Sequence, residues 1–227
     1  MAAAVLTREV AISADAGVAL VGDLSVPQGA LGIVAFAHGS GSSRLSPRNR
    51  AVSQALVEAG YATLLLDLLT KSEERERANV FDIGLLASRL LAASAWLEHD
   101  DAVAGLALAY FGASTGAAAA LTAAALLGER VRAVIARGGR PDLARDLSAV
   151  RAPTLLIVGG ADEQVLELNR SAQRQLRCVS ELAVVAGATH LFEERGALKQ
   201  VSSLAVGWLA RHLQPAPDTA APAPSPG

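Results

Sequence analysis

From residue 32 onward the apolar positions fall into short continuous runs, each followed by a stretch with helical spacing. The runs lie at 32–37, 62–67, 103–111, 131–137, 154–158 and 181–185, and most are rich in Val, Ile and Leu. Strands covered by helices on both faces read this way, because neither face alternates with polar residues. The segments 48–59, 82–98, 115–127, 164–176 and 197–213 predict helices. Gly60 and Gly128 stand where C-caps belong. Leu85, Leu86, Leu90 and Leu97 share a stripe of the second helix. Ahead of the alternation, 7–13 and 18–26 predict a hairpin turning at Asp15-Ala16-Gly17.

This order predicts an α/β domain built on an open, mostly parallel sheet, with right-handed crossovers, helices on both faces and an N-terminal antiparallel hairpin. The domain is expected to span residues 1–213. Residues 214–227, QPAPDTAAPAPSPG, lack large apolar side chains and predict a Pro/Ala-rich disordered tail. The 227 residues, 52% of them hydrophobic, suffice for one sizeable core. Charged residues make up 19% and the net charge is -2, so no basic surplus points to nucleic acid or to an anionic membrane. Cys178 is the sole cysteine, which excludes an intramolecular disulfide and fits a cytoplasmic location. The opening MAAAVLTREV is not read as a signal peptide. The Ala-rich stretch 116–127 is shorter than a membrane span and predicts a buried helix.

The strongest chemical signal is Gly112-Ala113-Ser114-Thr115-Gly116, placed between an apolar run and a helix-forming stretch. G-x-S-x-G in that context makes a tight strand-to-helix turn with a strained serine at its apex. Small residues on either side let strand and helix approach, and the helix N-terminus aims its free N–H groups at the serine. Alone, the motif also describes an ordinary glycine-rich turn. A serine hydroxyl needs a base. Of His38, His99, His190 and His212, only His190 and His38 fall at the C-terminal end of a predicted strand, and His38 belongs to another loop. His190 is therefore the expected base. Asp162, in LLIVGGADEQV, is the expected orienting acid. It competes with Asp142, and it could serve instead as a helix N-cap. The chain order Ser114, Asp162, His190 leaves room for a βα unit in each interval.

Acyl transfer builds charge on an oxygen, which two fixed backbone N–H groups can stabilise. Thr115 is expected to supply one and Ser40, in His38-Gly39-Ser40-Gly41, the other, with Gly39 and Gly41 as alternatives; His38 is expected to hold this loop by hydrogen bonds. Arg44 and Arg137 are candidate contacts for an anionic substrate, since arginine forks match carboxylates. The alternative is that such arginines pair with Asp67, Asp82, Glu73 or Glu74 to hold loops. Phe111 and Phe192 are candidate walls of an acyl pocket. The charged segment 70–78 reads as a solvated loop or helix end, or as a flap. No insertion between 137 and 154 is long enough for a lid domain, so small soluble esters are expected over long-chain lipids.

The blocks HGSGSSRLSPRNR (38–50), LLLDLLT (64–70), FDIGLLASRL (81–90), YFGASTGAA (110–118), ARGGRPDLA (136–144), APTLLIVGGAD (152–162) and ATHLFEE (188–194) make the chain resemble the dienelactone hydrolase-like members of the α/β-hydrolase superfamily. The resemblance implies a small lidless esterase-like domain with no metal and no organic cofactor. Dienelactone hydrolases in the strict sense use a cysteine nucleophile, where this chain has Ser114. The fold and acyl-hydrolase chemistry therefore carry over, and the named substrate does not. The expected function is hydrolysis of small esters or lactones through an acyl-enzyme, with aryl esters or phosphotriesters as further substrates. The alternatives are a thioesterase or peptidase using the same residues, or a non-catalytic ligand-binding or interaction protein. The expected partner is a small molecule; a homo-oligomer is compatible with the sequence.

Overall fold

A computed structural model of the chain describes residues 4–14 and 17–213. Two residues of the expected hairpin turn, Asp15 and Ala16, and the expected tail at 214–227 lie outside the described residues.

Eight strands form one sheet: β1 (Val5–Ser13), β2 (Ala19–Pro27), β3 (Ile33–Ala37), β4 (Ala62–Leu66), β5 (Leu108–Ala113), β6 (Val131–Arg137), β7 (Thr154–Gly159) and β8 (Ser180–Val185). Their spatial order is β1-β2-β4-β3-β5-β6-β7-β8. β2 runs antiparallel to both of its neighbours. From β4 across to β8 every pair is parallel. The chain moves one way from β3 to β4 and then crosses back to β5 on the other side of β3. Loops leaving β3 and β5 therefore diverge, and a crevice opens at the carboxyl ends of these two strands.

The helices are α1 (Pro47–Glu58), α2 (Arg77–Phe81), α3 (Ile83–Leu97), α4 (Thr115–Leu127), α5 (Glu163–Gln175) and α6 (Ala197–His212). α1 and α6 cover one face of the sheet, around Phe36, Phe111, Ile135, Ile157 and Trp208. α3, α4 and α5 cover the other. The α4 sequence TGAAAALTAAALL explains its central place. Alanine favours helix and its small side chain lets the axis lie close to sheet and neighbouring helix, so residues 115–121 are all buried. α1 starts where Ser46 accepts the Asn49 N–H and Pro47 takes the first turn. α3 starts where Asp82 accepts the Leu85 N–H at 3.0 Å. Ser94 of α3 and Tyr110 of β5 share a hydrogen bond of 2.5 Å inside the core.

One strand departs from the sequence pattern. The apolar run at 103–111 predicts a strand from Val103, but β5 begins at Leu108. Gly105 has φ +81°, and the N–H groups of Val103 and Ala104 both turn back to the Asp100 carbonyl. The apolar letters continue through a turn that the glycine makes possible. At its other end β5 extends to Ala113, paired with Arg137, so the sheet runs up to Ser114.

The segment after β4 is more than a solvated loop. It contains one 3-10 turn, Glu73–Arg75, followed by α2. Arg89 of α3, 3% exposed, donates to Glu73 at 2.7 Å. The Thr70 N–H and hydroxyl donate to the same carboxylate at 2.8 and 2.9 Å. Burial acts to raise the Glu73 carboxyl, but these bonds and the Arg89 charge hold it below its ordinary value. A depressed carboxyl contributes stability above the ordinary glutamate range and loses it as pH falls through the lowered value. Substituting Glu73→Ala removes the carboxylate to which Arg89 and Thr70 both donate. It is expected to destabilise the fold by about 2–3 kcal/mol in urea unfolding at neutral pH, and by less as the solution is acidified.

Candidate active site

Ser114 sits at the apex between β5 and α4 with φ 52° and ψ -122°. That conformation costs a non-glycine residue roughly 1–3 kcal/mol and persists only where the surroundings fix it. Here they do. The Ser114 N–H donates to the Arg137 carbonyl at 3.2 Å, and the Arg140 N–H donates to the Ser114 carbonyl at 3.1 Å. A Cβ at Gly116 would stand 2.2 Å from the Ala37 carbonyl oxygen, and one at Gly112 would stand 2.5 Å from Ala117 Cα. Only glycine permits the approach of α4 to β3 and β5 at these two points.

His190 lies on the loop after β8. Its Nδ1 is 2.7 Å from Asp162 Oδ2. Asp162 follows β7 and occupies the N-cap position of α5, yet its side chain makes no capping bond. The carboxylate turns to the imidazole instead, and α5 starts without that cap. Asp142 is engaged by Arg140 at 2.8 and 2.9 Å. A Cβ at Gly138 would lie 3.5 Å from His190 Cε1, and Gly138 directly follows the carbonyl that holds Ser114. The Ser114 hydroxyl makes no hydrogen bond to the ring in this arrangement.

The loop after β3 forms the facing wall. A Cβ at Gly39 would be 2.8 Å from Ser114 Cβ and 3.6 Å from its Oγ. The Leu68 N–H donates to His38 Nε2 at 3.1 Å, so the ring proton resides on Nδ1, 2.9 Å from the Gly39 carbonyl. His38 thus ties the loop to the segment after β4. The Thr115 N–H opens α4 and has no intrahelical acceptor. The Ser40 N–H donates to the Thr115 side-chain oxygen at 2.9 Å. Of the two N–H groups expected as oxyanion donors, that of Ser40 is therefore engaged by the Thr115 hydroxyl.

Of the other expected contacts, two are corrected. Arg44 is surrounded by Glu9, Asp23 and Asp67 at 2.8, 3.8 and 3.4 Å, so it braces β1, β2 and the end of β4. Phe111 is fully buried and stacks on Phe36 at 4.8 Å, on the α1 and α6 side of the sheet. Phe192 is 2% exposed, but its ring edge lies 3.4 Å from a Cβ placed at Gly138, and its φ of 56° strains the His190 loop. Arg137 is buried at the end of β6, beside the nucleophile turn.

Two supports lie outside the sequence motifs. Asn169 on α5, fully buried, donates to the Gly139 carbonyl at 2.9 Å and so steadies the turn that holds Ser114. Its signal was a polar residue on the buried stripe Val165, Asn169, Ala172. Glu194 accepts from the Thr189 N–H at 3.0 Å and its hydroxyl at 2.6 Å, fixing the loop around His190. Cys178 lies near Thr154, on another segment. Among the described residues no group of three or more His, Cys, Asp or Glu side chains is placed to hold a metal. No helix among them is long and apolar enough to cross a membrane.

The sheet order, the strained serine turn at the crevice and the His–Asp pair at the same rim define an α/β-hydrolase domain. The Dienelactone hydrolase family model matches residues 20–208, and the chain belongs to that family. The crystal structure of a dienelactone hydrolase from Anabaena variabilis is 53% identical, with a TM-score of 0.90 over 92% of this chain and 99% of that one. An esterase of Pyrococcus furiosus is 19% identical with a TM-score of 0.73, over 92% of both chains, a likeness of fold. "Putative phosphoribosyl transferase Rv0571c" of Mycobacterium tuberculosis is 60% identical over 197 residues, 86% of this chain and 44% of that protein. The chain thus spans less than half the length of the curated relative it matches.

Gly116→Ala is expected to push α4 away from β3, because the added methyl meets backbone. The variant should lose about 1–3 kcal/mol or more in urea unfolding. A stability equal to the unsubstituted protein would show that the approach is not as close as described.

Proposed function

We propose that the chain is a serine hydrolase of carboxylic esters or lactones. The observation that carries this reading is the Asp162–His190 bond beside a strained Ser114. Asp162 keeps the imidazole proton on Nδ1, which leaves Nε2 free to accept. His190 takes the Ser114 proton as the oxygen attacks the carbonyl carbon. The carbonyl electron pair moves to the oxygen, which the Thr115 and Ser40 N–H groups receive; for Ser40 this requires the Thr115 hydroxyl to yield its place. On collapse the leaving alkoxide takes the proton from His190, and an acyl-Ser114 remains. Water, deprotonated by His190, then releases the acid and restores Ser114.

The narrow spacing around Ser114 and the two short 3-10 turns between β6 and β7, in place of an inserted domain, support small esters as substrates. A phosphotriester can enter the same first step at Ser114. The transferase name of the M. tuberculosis relative belongs to a protein more than half of which lies outside the match, and acyl transfer through Ser114 needs none of that remainder.

A fluorophosphonate probe is expected to label Ser114, and Ser114→Ala to abolish labelling. That variant should lower kcat/KM for 4-nitrophenyl acetate by about 10³-fold or more, and Asp162→Asn by about 10²–10⁴-fold. Unchanged turnover in Ser114→Ala would refute the assignment. Acetyl esters should be cleaved faster than palmitoyl esters of the same phenol.

A further inference from the structure

We propose that the side-chain hydroxyl of Thr115 is a third donor to the oxyanion, beside the two backbone N–H groups, and so a catalytic residue of the ester reaction. The inference rests on the hydrolase reading above and deepens it. At rest the hydroxyl accepts a hydrogen bond; in the transition state it donates one.

Thr115 is the first residue of α4 and only 4% exposed. Its Oγ1 accepts the Ser40 N–H at 2.9 Å, and among the described residues it has no other hydrogen-bond partner. An N–H can only donate, so this bond uses a lone pair of the hydroxyl and leaves its proton unengaged. Other buried hydroxyls of the fold give their proton to the backbone. Ser94 donates to the Leu90 carbonyl and Ser202 to the Leu198 carbonyl, each four residues back in its own helix. Thr115 has no such acceptor, because the residue four positions before it is Phe111, inside β5. A buried donor left without an acceptor asks for a reason. This one stands next to the nucleophile, where the reaction creates an acceptor.

The glycine loop fixes where this hydroxyl stands. A Cβ at Gly39 would be 2.8 Å from Ser114 Cβ, so the loop lies against the nucleophile, and Ser40 is the next residue. An oxygen anion that takes the Ser40 N–H must come in beside the hydroxyl it displaces. The hydroxyl then needs only to turn about its Cβ–Oγ1 bond to present its proton, while the branched Cβ keeps χ1 restricted and the oxygen near its place. Both sides of the exchange favour the anion. The Ser40 N–H passes from a neutral acceptor to a charged one, and the hydroxyl gains a charge-assisted bond that it lacks at rest. The neutral carbonyl of a bound ester is the weaker acceptor, so the gain falls mainly on the transition state. In the resting protein the same hydroxyl ties Ser40 to α4 and holds the loop in the shape that the oxyanion meets.

The test compares Thr115→Val, which keeps the branched shape and loses the hydroxyl, with Thr115→Ser, which keeps the hydroxyl. With 4-nitrophenyl acetate, Thr115→Val should lose about 10²-fold in kcat while KM changes by less than about threefold, and Thr115→Ser should stay within about fivefold of the wild type. A Thr115→Val kcat within about threefold of the wild type, or above it, shows a hydroxyl that merely occupies the Ser40 N–H, and overturns the proposal. Equal losses in the two variants mark packing of the side chain and overturn it as well. A second readout needs no variant. A trifluoromethyl ketone adds to Ser114: its carbonyl carbon bonds Oγ, the serine proton passes to His190, and the carbonyl oxygen becomes an anion. In a crystal structure of that adduct on the wild type, Thr115 Oγ1 should lie about 2.5–2.8 Å from the anionic oxygen, and a separation beyond about 3.5 Å sinks the idea whatever the variants do. The Ki of the ketone should rise in Thr115→Val by the factor by which kcat/KM falls. Labelling of wild-type Ser114 by the fluorophosphonate separates failure of this inference from failure of the hydrolase reading.

Discussion

The contact between the first turn of α4 and the last carbonyls of β3 governs the rest of the site. Gly116 lies so near Ala37 and His38 that a methyl group would stand 2.2 and 2.5 Å from their carbonyl oxygens. Because the two elements meet there, Ser114 is brought against Gly39, and the Thr115 hydroxyl can reach the Ser40 N–H. The strained serine, the free N–H groups of the helix and the glycine loop are thus consequences of one backbone approach. An alanine-rich α4 serves that approach, since larger side chains on its buried faces would hold the axis away from the sheet.

A serine held at positive φ needs constraint from several sides, and the fold supplies it from different strands. Backbone bonds from the end of β6 and from the loop after it fix the N–H and the carbonyl of Ser114. Asn169 of α5 fixes that loop in turn through Gly139. On the far side, Glu194 ties down Thr189, and a second positive-φ residue, Phe192, is locked into the core. The His190 ring is thereby oriented from below by a carboxylate and from beside by a shaped loop. Such layered support fixes the backbone of each of these loops.

Much of this was legible in the sequence because its causes are local or periodic. Continuous apolar runs marked the parallel strands, and the position of each polar residue relative to a run marked Ser114, Asp162 and His190. The failures share a physical origin. Gly105 converted an apolar stretch into a turn, and its φ is not visible in letters. Arg44 and Arg89 pair with carboxylates 16 or more residues away, pairings that the sequence offers only as an alternative and that the fold decides. Phe111 belongs to an apolar strand buried on both faces, where hydrophobicity does not tell core from pocket. Asn169 was open to discovery as a polar interruption of an apolar stripe, but the carbonyl it serves lies on another loop.

Asp162 shows how one residue type at one position can serve two ends, and which prevails. As the residue before α5 it is well placed to cap the helix, a bond that typically stabilises by about 1 kcal/mol. Its side chain forgoes that bond and reaches 2.7 Å to His190. Ser114 forgoes a relaxed backbone in the same way, and Arg137 keeps a buried nitrogen without an acceptor. Each of the three departs from the locally favoured state, and all three lie at the carboxyl rim of the central strands. Ser114 and Asp162 can hold these states because neighbouring elements fix them, through the backbone bonds at Ser114 and the 2.7 Å bond to His190.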